Sequence, residues 1–98
     1  MIVYQVTATI DPDLTEKFER YMREKHIADV LATGAFMGAS FESSGEGRYR
    51  TRYMAETQDA LDNYLSDFAP ELRDDVTANF PTGTEFGREF WVVLEMFA

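Results

Sequence analysis

The C-terminal stretch from Glu85 to Phe97 most constrains how this chain can fold. It predicts one strand of about a dozen residues, whereas strands usually run roughly five or six. Successive side chains leave a strand on opposite faces, and here both faces are largely apolar. The even set is Phe86, Arg88, Phe90, Val92, Leu94 and Met96, and the odd set includes Trp91, Val93 and Phe97. A strand of this kind must be covered on both faces, because an exposed apolar strand aggregates.

The first third of the chain predicts a strand followed by a helix. Residues 1–10 alternate with period two and are rich in β-branched side chains, as in a half-buried strand. Asp11 and Pro12 favour a helix start, because aspartate caps free amides and proline fits the first turn. Apolar residues then recur at helical spacing, with a bend expected near His26, until Gly34 ends the helix.

The remainder predicts a hairpin, a second helical region and the final strand. Residues 35–43 and 48–56 are expected to pair around the turn-forming residues 43–47. Thr57 is a plausible helix cap, and Pro70 is expected to open a second short helical segment. The residues predicted to share one face of the second strand are Ala35, Met37, Ala39 and Phe41.

This order of elements predicts one ferredoxin-like α+β domain over residues 1–98. Its βαββαβ chain path gives a four-stranded antiparallel sheet with both helices on one face. The usual strand order, 4-1-3-2, places the apolar C-terminal strand at an edge beside a bare face. Two sheets packed bare face to bare face would bury that surplus, at roughly 800 Å² or more per subunit. We therefore predict a homodimer, formed through the bare sheet face and the C-terminal strand, which makes a dimeric α+β barrel with a lumen.

Composition excludes several classes of function. The net charge of −9 disfavours binding to nucleic acid or to anionic lipid. No apolar run approaches the roughly 20 residues of a membrane span, so no membrane partner is expected. The chain has no cysteine, which fits a reducing cytoplasm and leaves no disulfide or thiolate metal site. Residues 56–85 hold eight acids and one base, Arg73, which indicates either a solvated acidic surface or a docking surface for a protein.

His26 is the only histidine and the candidate catalytic residue. It could act as a general base or ligand contact at the mouth of the lumen. The alternative is a structural histidine near a helix C-terminus, bonded to a backbone carbonyl. One histidine without cysteine does not make a zinc site, so we expect no metal and no cofactor. A lone axial histidine to haem is the remaining alternative.

Arginines on the third strand are the candidate ligand-binding residues. If the neighbouring tyrosines pack under the helices, these arginines face the lumen, where guanidinium groups bind carboxylates or phosphates. The alternative is cross-strand pairing with Glu42, with Glu89 or with acidic residues of a partner subunit. Trp91 is expected first at the dimer interface, and otherwise in the core or as a platform for a ligand. The predicted ligand-binding set is Arg50, Arg52, Gln5, Thr7 and Trp91.

Several segments resemble a family of small bacterial proteins known as a domain of unknown function, DUF4286. The most specific is His26-Ile-Ala-Asp-Val-Leu-Ala-Thr-Gly34, in which Ala28 replaces a proline common in that family. The resemblance implies a dimeric α+β barrel and implies no activity. The other matching segments are Met1-Ile-Val-Tyr-Gln-Val-Thr7, Tyr21-Met22, Phe36, Tyr53-Met-Ala-Glu56, Ala60-Leu61, Tyr64-Leu65 and Ala69-Pro-Glu-Leu-Arg73.

Three functions are compatible with the sequence. The first is a homodimeric module that binds a small anionic or aromatic molecule between the two sheets. The second is a cofactor-independent isomerase or oxygenase on the same barrel, with His26 as the base. The third is a protein-interaction module without a small ligand.

Overall fold

The structure is a computed structural model that describes all residues 1–98. Its four strands form one antiparallel sheet in the order β2-β3-β1-β4, so the predicted ferredoxin-like fold is confirmed, with the last strand at an edge. No helix is both long and apolar enough to cross a membrane. In chain order the elements are β1 (Ile2–Ile10), a 3₁₀ turn (Pro12–Leu14), α1 (Thr15–Tyr21), a π-helical turn (Met22–His26), α2 (Ile27–Ala32), β2 (Gly38–Gly45), β3 (Arg48–Ala55), α3 (Gln58–Asp67), α4 (Ala69–Asn79) and β4 (Thr84–Val92).

The helices cover only one face of the sheet, which we call the covered face. Side-chain alternation places Tyr4 of β1 and Tyr53 of β3 on it, directly opposite each other. Both tyrosines are nearly fully buried, at 3% and 2% exposure. The other face, which we call the open face, carries Gln5 and Arg52 as the next opposed pair. The core therefore lies on one side of the sheet.

The last strand is shorter than the sequence predicts. β4 ends at Val92, which pairs with Ile2, the first residue of β1. One further backbone bond follows, from Val93 N–H to the Met1 carbonyl at 3.0 Å. The prediction of a strand to Phe97 is wrong, since the regular pairing of β4 with β1 ends at Val92. Residues 94–98 form an exposed segment, which we call the tail, and Phe97 is 85% exposed there.

Two local predictions about the strand–helix junctions are also wrong. Asp11 makes no side-chain capping bond; its carbonyl accepts the Leu14 N–H at 2.9 Å, which closes a 3₁₀ turn. The second strand begins at Gly38, so Met37 is 57% exposed and Phe36 enters the core instead.

Other helix-end predictions hold. Thr57 caps α3 by accepting the Ala60 N–H at 3.2 Å. Gly34 ends the first helical region with a φ of 81°, a left-handed conformation that favours glycine. The expected bend near His26 is the π-helical turn, and Pro70 lies in the first turn of α4.

Candidate functional site

The covered face is built from rows of residues that oppose one another across the four strands. In the middle row, β3 and β1 contribute Thr51 and Val6, whereas the rows on either side carry Tyr53 and Tyr49 on β3. The small side chains of the middle row separate the buried core into two aromatic clusters. The three rows, read from β2 to β4, are Ala39–Tyr53–Tyr4–Phe90, Phe41–Thr51–Val6–Arg88 and Ser43–Tyr49–Ala8–Phe86.

A cavity of about 90 Å³ lies above this middle row, between the sheet and the helices. At roughly 30 Å³ per water molecule, it exceeds the voids of a close-packed core. Most of its lining is apolar, and a few polar groups converge on it, which is the usual composition of a small-molecule site. The lining residues are Tyr4, Val6, Ala8, Phe18, Met22, His26, Tyr49, Thr51, Tyr53, Tyr64, Leu72, Arg73, Val76, Thr77, Phe86 and Arg88.

One corner of the cavity is polar, and we call it the arginine corner. Arg73 of α4 donates from Nη2 to the Tyr4 hydroxyl at 3.2 Å, and Arg88 of β4 donates from Nε to the same oxygen at 3.2 Å. Neither guanidinium forms an ion pair with an acidic side chain. Both arginines are exposed, so the corner is where the cavity meets the surface.

Two buried polar atoms on the cavity lining lack a hydrogen-bond partner: the Tyr53 hydroxyl and His26 Nδ1. Burial raises the pKa of Tyr53, so its hydroxyl stays protonated as a donor. The Thr51 hydroxyl is close by but forms no hydrogen bond of normal geometry with it. Leaving such a group unpaired costs about 1–3 kcal/mol, and most buried polar groups are paired. The two atoms therefore mark places where a ligand atom would be accepted.

His26 is held in place by its neighbours on the π-helical turn and on α4. Its ring stacks on Tyr21 with centroids 5.7 Å apart. The Tyr21 hydroxyl donates to Asp75 at 2.6 Å, and Lys25 donates to the same carboxylate at 3.1 Å. Lys25 also donates to Asp29 at 2.7 Å, so the turn is fixed to α4 and α2. These contacts hold the turn that carries His26, and His26 lies on the cavity lining.

Burial lowers the pKa of His26, although the negative charges of Asp29 and Asp75 oppose that decrease. The imidazole is therefore neutral near pH 7. A neutral imidazole with a free ring nitrogen can accept a proton from a bound molecule.

The predicted ligand-binding residues lie on the open face, on the other side of the sheet. Gln5 opposes Arg52, and Thr7 opposes Arg50, as the strand alternation requires. A groove of about 490 Å³ runs along this face and includes Gln5, Thr7 and Arg50, but Arg52 and Trp91 do not line it. The structure therefore brings three of the five residues together and places His26 on the opposite face.

Two of these residues also have partners within the chain. Arg50 Nε donates to the Glu42 carboxylate, and this hydrogen bond is the main reason that the pKa of Glu42 is lowered. The alternative of cross-strand pairing is thus realised for Arg50. Trp91 is 56% exposed, lies opposite Val3, and donates its indole N–H to Glu89 at 3.1 Å. Trp91 is not part of the core of the protomer.

Sequence reasoning missed the cavity and its arginine corner. Two signals could have revealed them. Thr51 is the one small polar residue among the inward-facing residues of β3, between Tyr49 and Tyr53. Arg88 is the one charged residue in the even, otherwise apolar set of the last strand. Both lie in the middle row, where a break in the aromatic pattern makes room for a cavity.

No group of three or more His, Cys, Asp or Glu side chains is arranged to hold a metal ion. The polar groups at the cavity are tyrosines, arginines, threonines and a histidine. What this set can do chemically is to donate hydrogen bonds, attract an anion and accept one proton.

The fold and the cavity define a small ferredoxin-like α+β protein with a site between the sheet and the helices. The sequence matches the family described as Domain of unknown function (DUF4286) over residues 1–90, and the chain belongs to that family. The resemblance seen in the sequence is thereby confirmed. No curated protein matches the sequence significantly.

Solved structures with the same fold include enzymes. SnoaB, a cofactor-independent oxygenase from Streptomyces nogalater, is 14% identical with a TM-score of 0.73, and the match covers 97% of this chain and 95% of SnoaB. MhuD, a heme-degrader from Mycobacterium tuberculosis with two hemes bound in its active site, is 14% identical with a TM-score of 0.73 over 100% of both chains. A dimeric ferredoxin-like protein from an uncultured marine organism is 10% identical with a TM-score of 0.69, covering 100% of this chain and 99% of that one. At identities this low, the TM-scores establish a shared fold and nothing more.

Proposed function

We propose that this protein is a homodimer in which each protomer binds one small, largely apolar molecule in the cavity of the covered face. The observation that carries this proposal is the pair of unpaired buried atoms, the Tyr53 hydroxyl and His26 Nδ1, on residues of a mostly apolar lining. A molecule with an apolar body and one or two polar atoms would satisfy both atoms at once.

The dimer is proposed from the exposed apolar residues of β4 and the tail. Trp91, Val92 and Leu94 are 56%, 65% and 94% exposed in the protomer. An apolar edge strand followed by an apolar tail is a hazard for aggregation unless a partner covers it. A solved protein of the same fold is described as dimeric, which supports the same arrangement here.

The lumen between the two sheets of that dimer is the second place where a ligand could lie. There, Arg50, Arg52, Gln5, Thr7 and Trp91 remain the predicted contacts, and an anionic molecule remains the predicted ligand. The cavity is favoured over the lumen because Arg50 already has an acidic partner, whereas the cavity carries polar atoms that have none.

Substitutions at two adjacent residues of β1 distinguish a ligand in the cavity from a ligand in the lumen. Val6 faces the cavity, and Thr7 faces the open face. We expect Val6→Phe to fill the cavity and abolish binding of benzamide. This binding is measured by NMR chemical-shift titration of labelled protein. Thr7→Phe adds a ring of the same size to the open face and is expected to leave that binding intact. Loss of binding in Thr7→Phe alone would place the ligand between the sheets.

A second candidate function is that of a cofactor-independent enzyme on the same site. The neutral, partner-free Nδ1 of His26 at the cavity favours it, since a general base needs such an atom within reach of its substrate. SnoaB, a cofactor-independent oxygenase, shows that the fold can host such chemistry. The cavity of about 90 Å³ does not accommodate a porphyrin, so we propose no haem site.

Oxygen consumption with electron-rich phenols as substrates tests this second candidate. We expect His26→Gln to abolish turnover while benzamide still binds, because glutamine keeps polarity but cannot accept the proton. Equal turnover by His26→Gln and the unmodified protein would exclude His26 as the base.

A further inference from the structure

We propose that the arginine corner binds a carboxylate group of the ligand. This inference rests on the proposed function for where the rest of the ligand lies, namely in the adjoining cavity. It assigns the ligand to a chemical class: a small aromatic or aliphatic monocarboxylate, with its apolar body in the cavity and its carboxylate between Arg73 and Arg88.

The guanidinium groups of Arg73 and Arg88 converge on one oxygen. Arg73 comes from α4 and Arg88 from β4, and each donates to the same Tyr4 oxygen at 3.2 Å. A phenol oxygen is a weak acceptor for two cations, which leaves most of the ten N–H donors of the pair free. Guanidinium groups bind planar carboxylates through parallel hydrogen bonds, so the corner presents donors that suit such a group.

The electrostatic setting of the arginine corner also favours an anion. Two like charges brought to one oxygen repel each other, and an anion between them would remove that repulsion. The chain has twice as many acids as bases, 18 against 9, yet no acid pairs with either arginine. Arg73 and Arg88 are therefore two unpaired positive charges that meet at one oxygen.

The positive charge of the arginine corner also acts inside the cavity. Tyr64 is buried on the lining, and burial raises its pKa to about 12. The charges of Arg73 and Arg88 oppose that increase, so both act on a group inside the cavity. Tyr4 itself stacks on Phe90 with centroids 5.3 Å apart and an interplanar angle of 14°. An aromatic ring next to the carboxylate would lie against this stacked pair.

The test compares benzoate with benzamide, which has the same shape and no charge. Dissociation constants are measured by NMR titration of the full chain. In the unmodified protein we expect benzoate to bind about tenfold more tightly, since a hydrogen bond to a charged group is worth roughly that factor. Arg73→Gln and Arg88→Gln should each lower the affinity for benzoate about tenfold and lower the affinity for benzamide much less, because benzamide carries no charge.

Arg20→Gln is the matched control for charge. Arg20 is exposed on α1, forms no ion pair, and does not line the cavity. The Arg20→Gln substitution should leave the affinities for benzoate and for benzamide unchanged. Melting curves of the arginine variants establish that each is folded, and Arg88→Lys should restore only part of the benzoate affinity, because lysine keeps the charge without the planar fork.

Each outcome has one meaning. Equal affinities for benzoate and benzamide, with chemical-shift changes around Val6 and Thr51, would support binding in the cavity and overturn the carboxylate assignment. Benzoate binding that depends on the arginines but survives Val6→Phe would support the corner and overturn the cavity. Inorganic phosphate that competes as well as benzoate would overturn the preference for a carboxylate. Binding of neither probe at about 10 mM would overturn both proposals.

Discussion

The two faces of the sheet are made from the same four strands, yet they differ in almost every physical property. The covered face buries Tyr4, Tyr49 and Tyr53 under helices, and its polar groups are few and specific. The open face alternates charged and polar residues, such as Arg52 and Gln5, with an exposed tryptophan at its edge. One side holds the protomer together, and the other has apolar surface that a second protomer could cover.

This difference shows how a short chain can separate stability from association. Aromatic rings on the covered face contact one another within the protomer, as Phe18 does with Tyr49, Phe80 and Phe86. The apolar residues of the tail have no such contacts in the protomer. Changes on the covered face should therefore act on folding, and changes on the open face should act on dimerisation.

The largest expected effect comes from matched truncations of one phenylalanine buried on α1, Phe18, and one in the tail, Phe97. Phe18→Ala should lower the free energy of unfolding by about 3–5 kcal/mol, because Phe18 is 1% exposed. Phe97→Ala should lower the free energy of unfolding far less at low protein concentration. This loss should grow as the protein concentration rises, because dimerisation then contributes to stability. Urea unfolding at several protein concentrations measures both. A concentration-independent loss of several kcal/mol in Phe97→Ala would contradict the proposed division.

The next effect concerns association. Trp91→Glu should weaken the dimer by at least about a hundredfold, because it places a charge in an apolar contact. Analytical ultracentrifugation measures the change. Phe68→Glu is the control, since Phe68 is a 40% exposed aromatic of the helical layer. An unmodified protein that sediments as a monomer would refute the dimer outright.

A smaller effect is expected from pH. The pKa of folded His26 lies below its usual value near 6.5, so the unfolded state binds more protons between those two values. Stability should therefore decrease as pH falls below about 6.5 and level off below the folded pKa. The lowered pKa of Asp75 acts in a separate window, below its usual 3.8. His26→Gln should flatten the profile between pH 5 and 7, measured by urea midpoints.

The smallest effect is expected from Tyr53→Phe, which removes the unpaired hydroxyl and keeps the ring. The free energy of unfolding of the ligand-free protein should change by less than about 1 kcal/mol, and it could rise, because no hydrogen bond is lost. Benzamide binding should nevertheless weaken, as followed by NMR titration. A large loss of stability would show that the hydroxyl has a partner within the protomer and would remove one support for the cavity.

Much of the fold was predictable because alternation and helix-end signals are local. The faces of β1 and β3 follow from period two, and Thr57, Gly34 and Pro70 act within one turn of the chain. The end of β4 was not predictable from its own residues, since it depends on where β1 begins. The same holds for the site. The arginine corner joins residues 4, 73 and 88, and only the packing of α4 against the sheet brings them together.

The break in the core at Thr51 and Val6 has a mechanical consequence. An interior void makes the folded state more voluminous than its unfolded state, so the cavity of about 90 Å³ should make the protein sensitive to hydrostatic pressure. Compression should disturb the residues of the middle row before those of either aromatic cluster. An occupant that fills the space should make the protomer stiffer and more resistant to that compression.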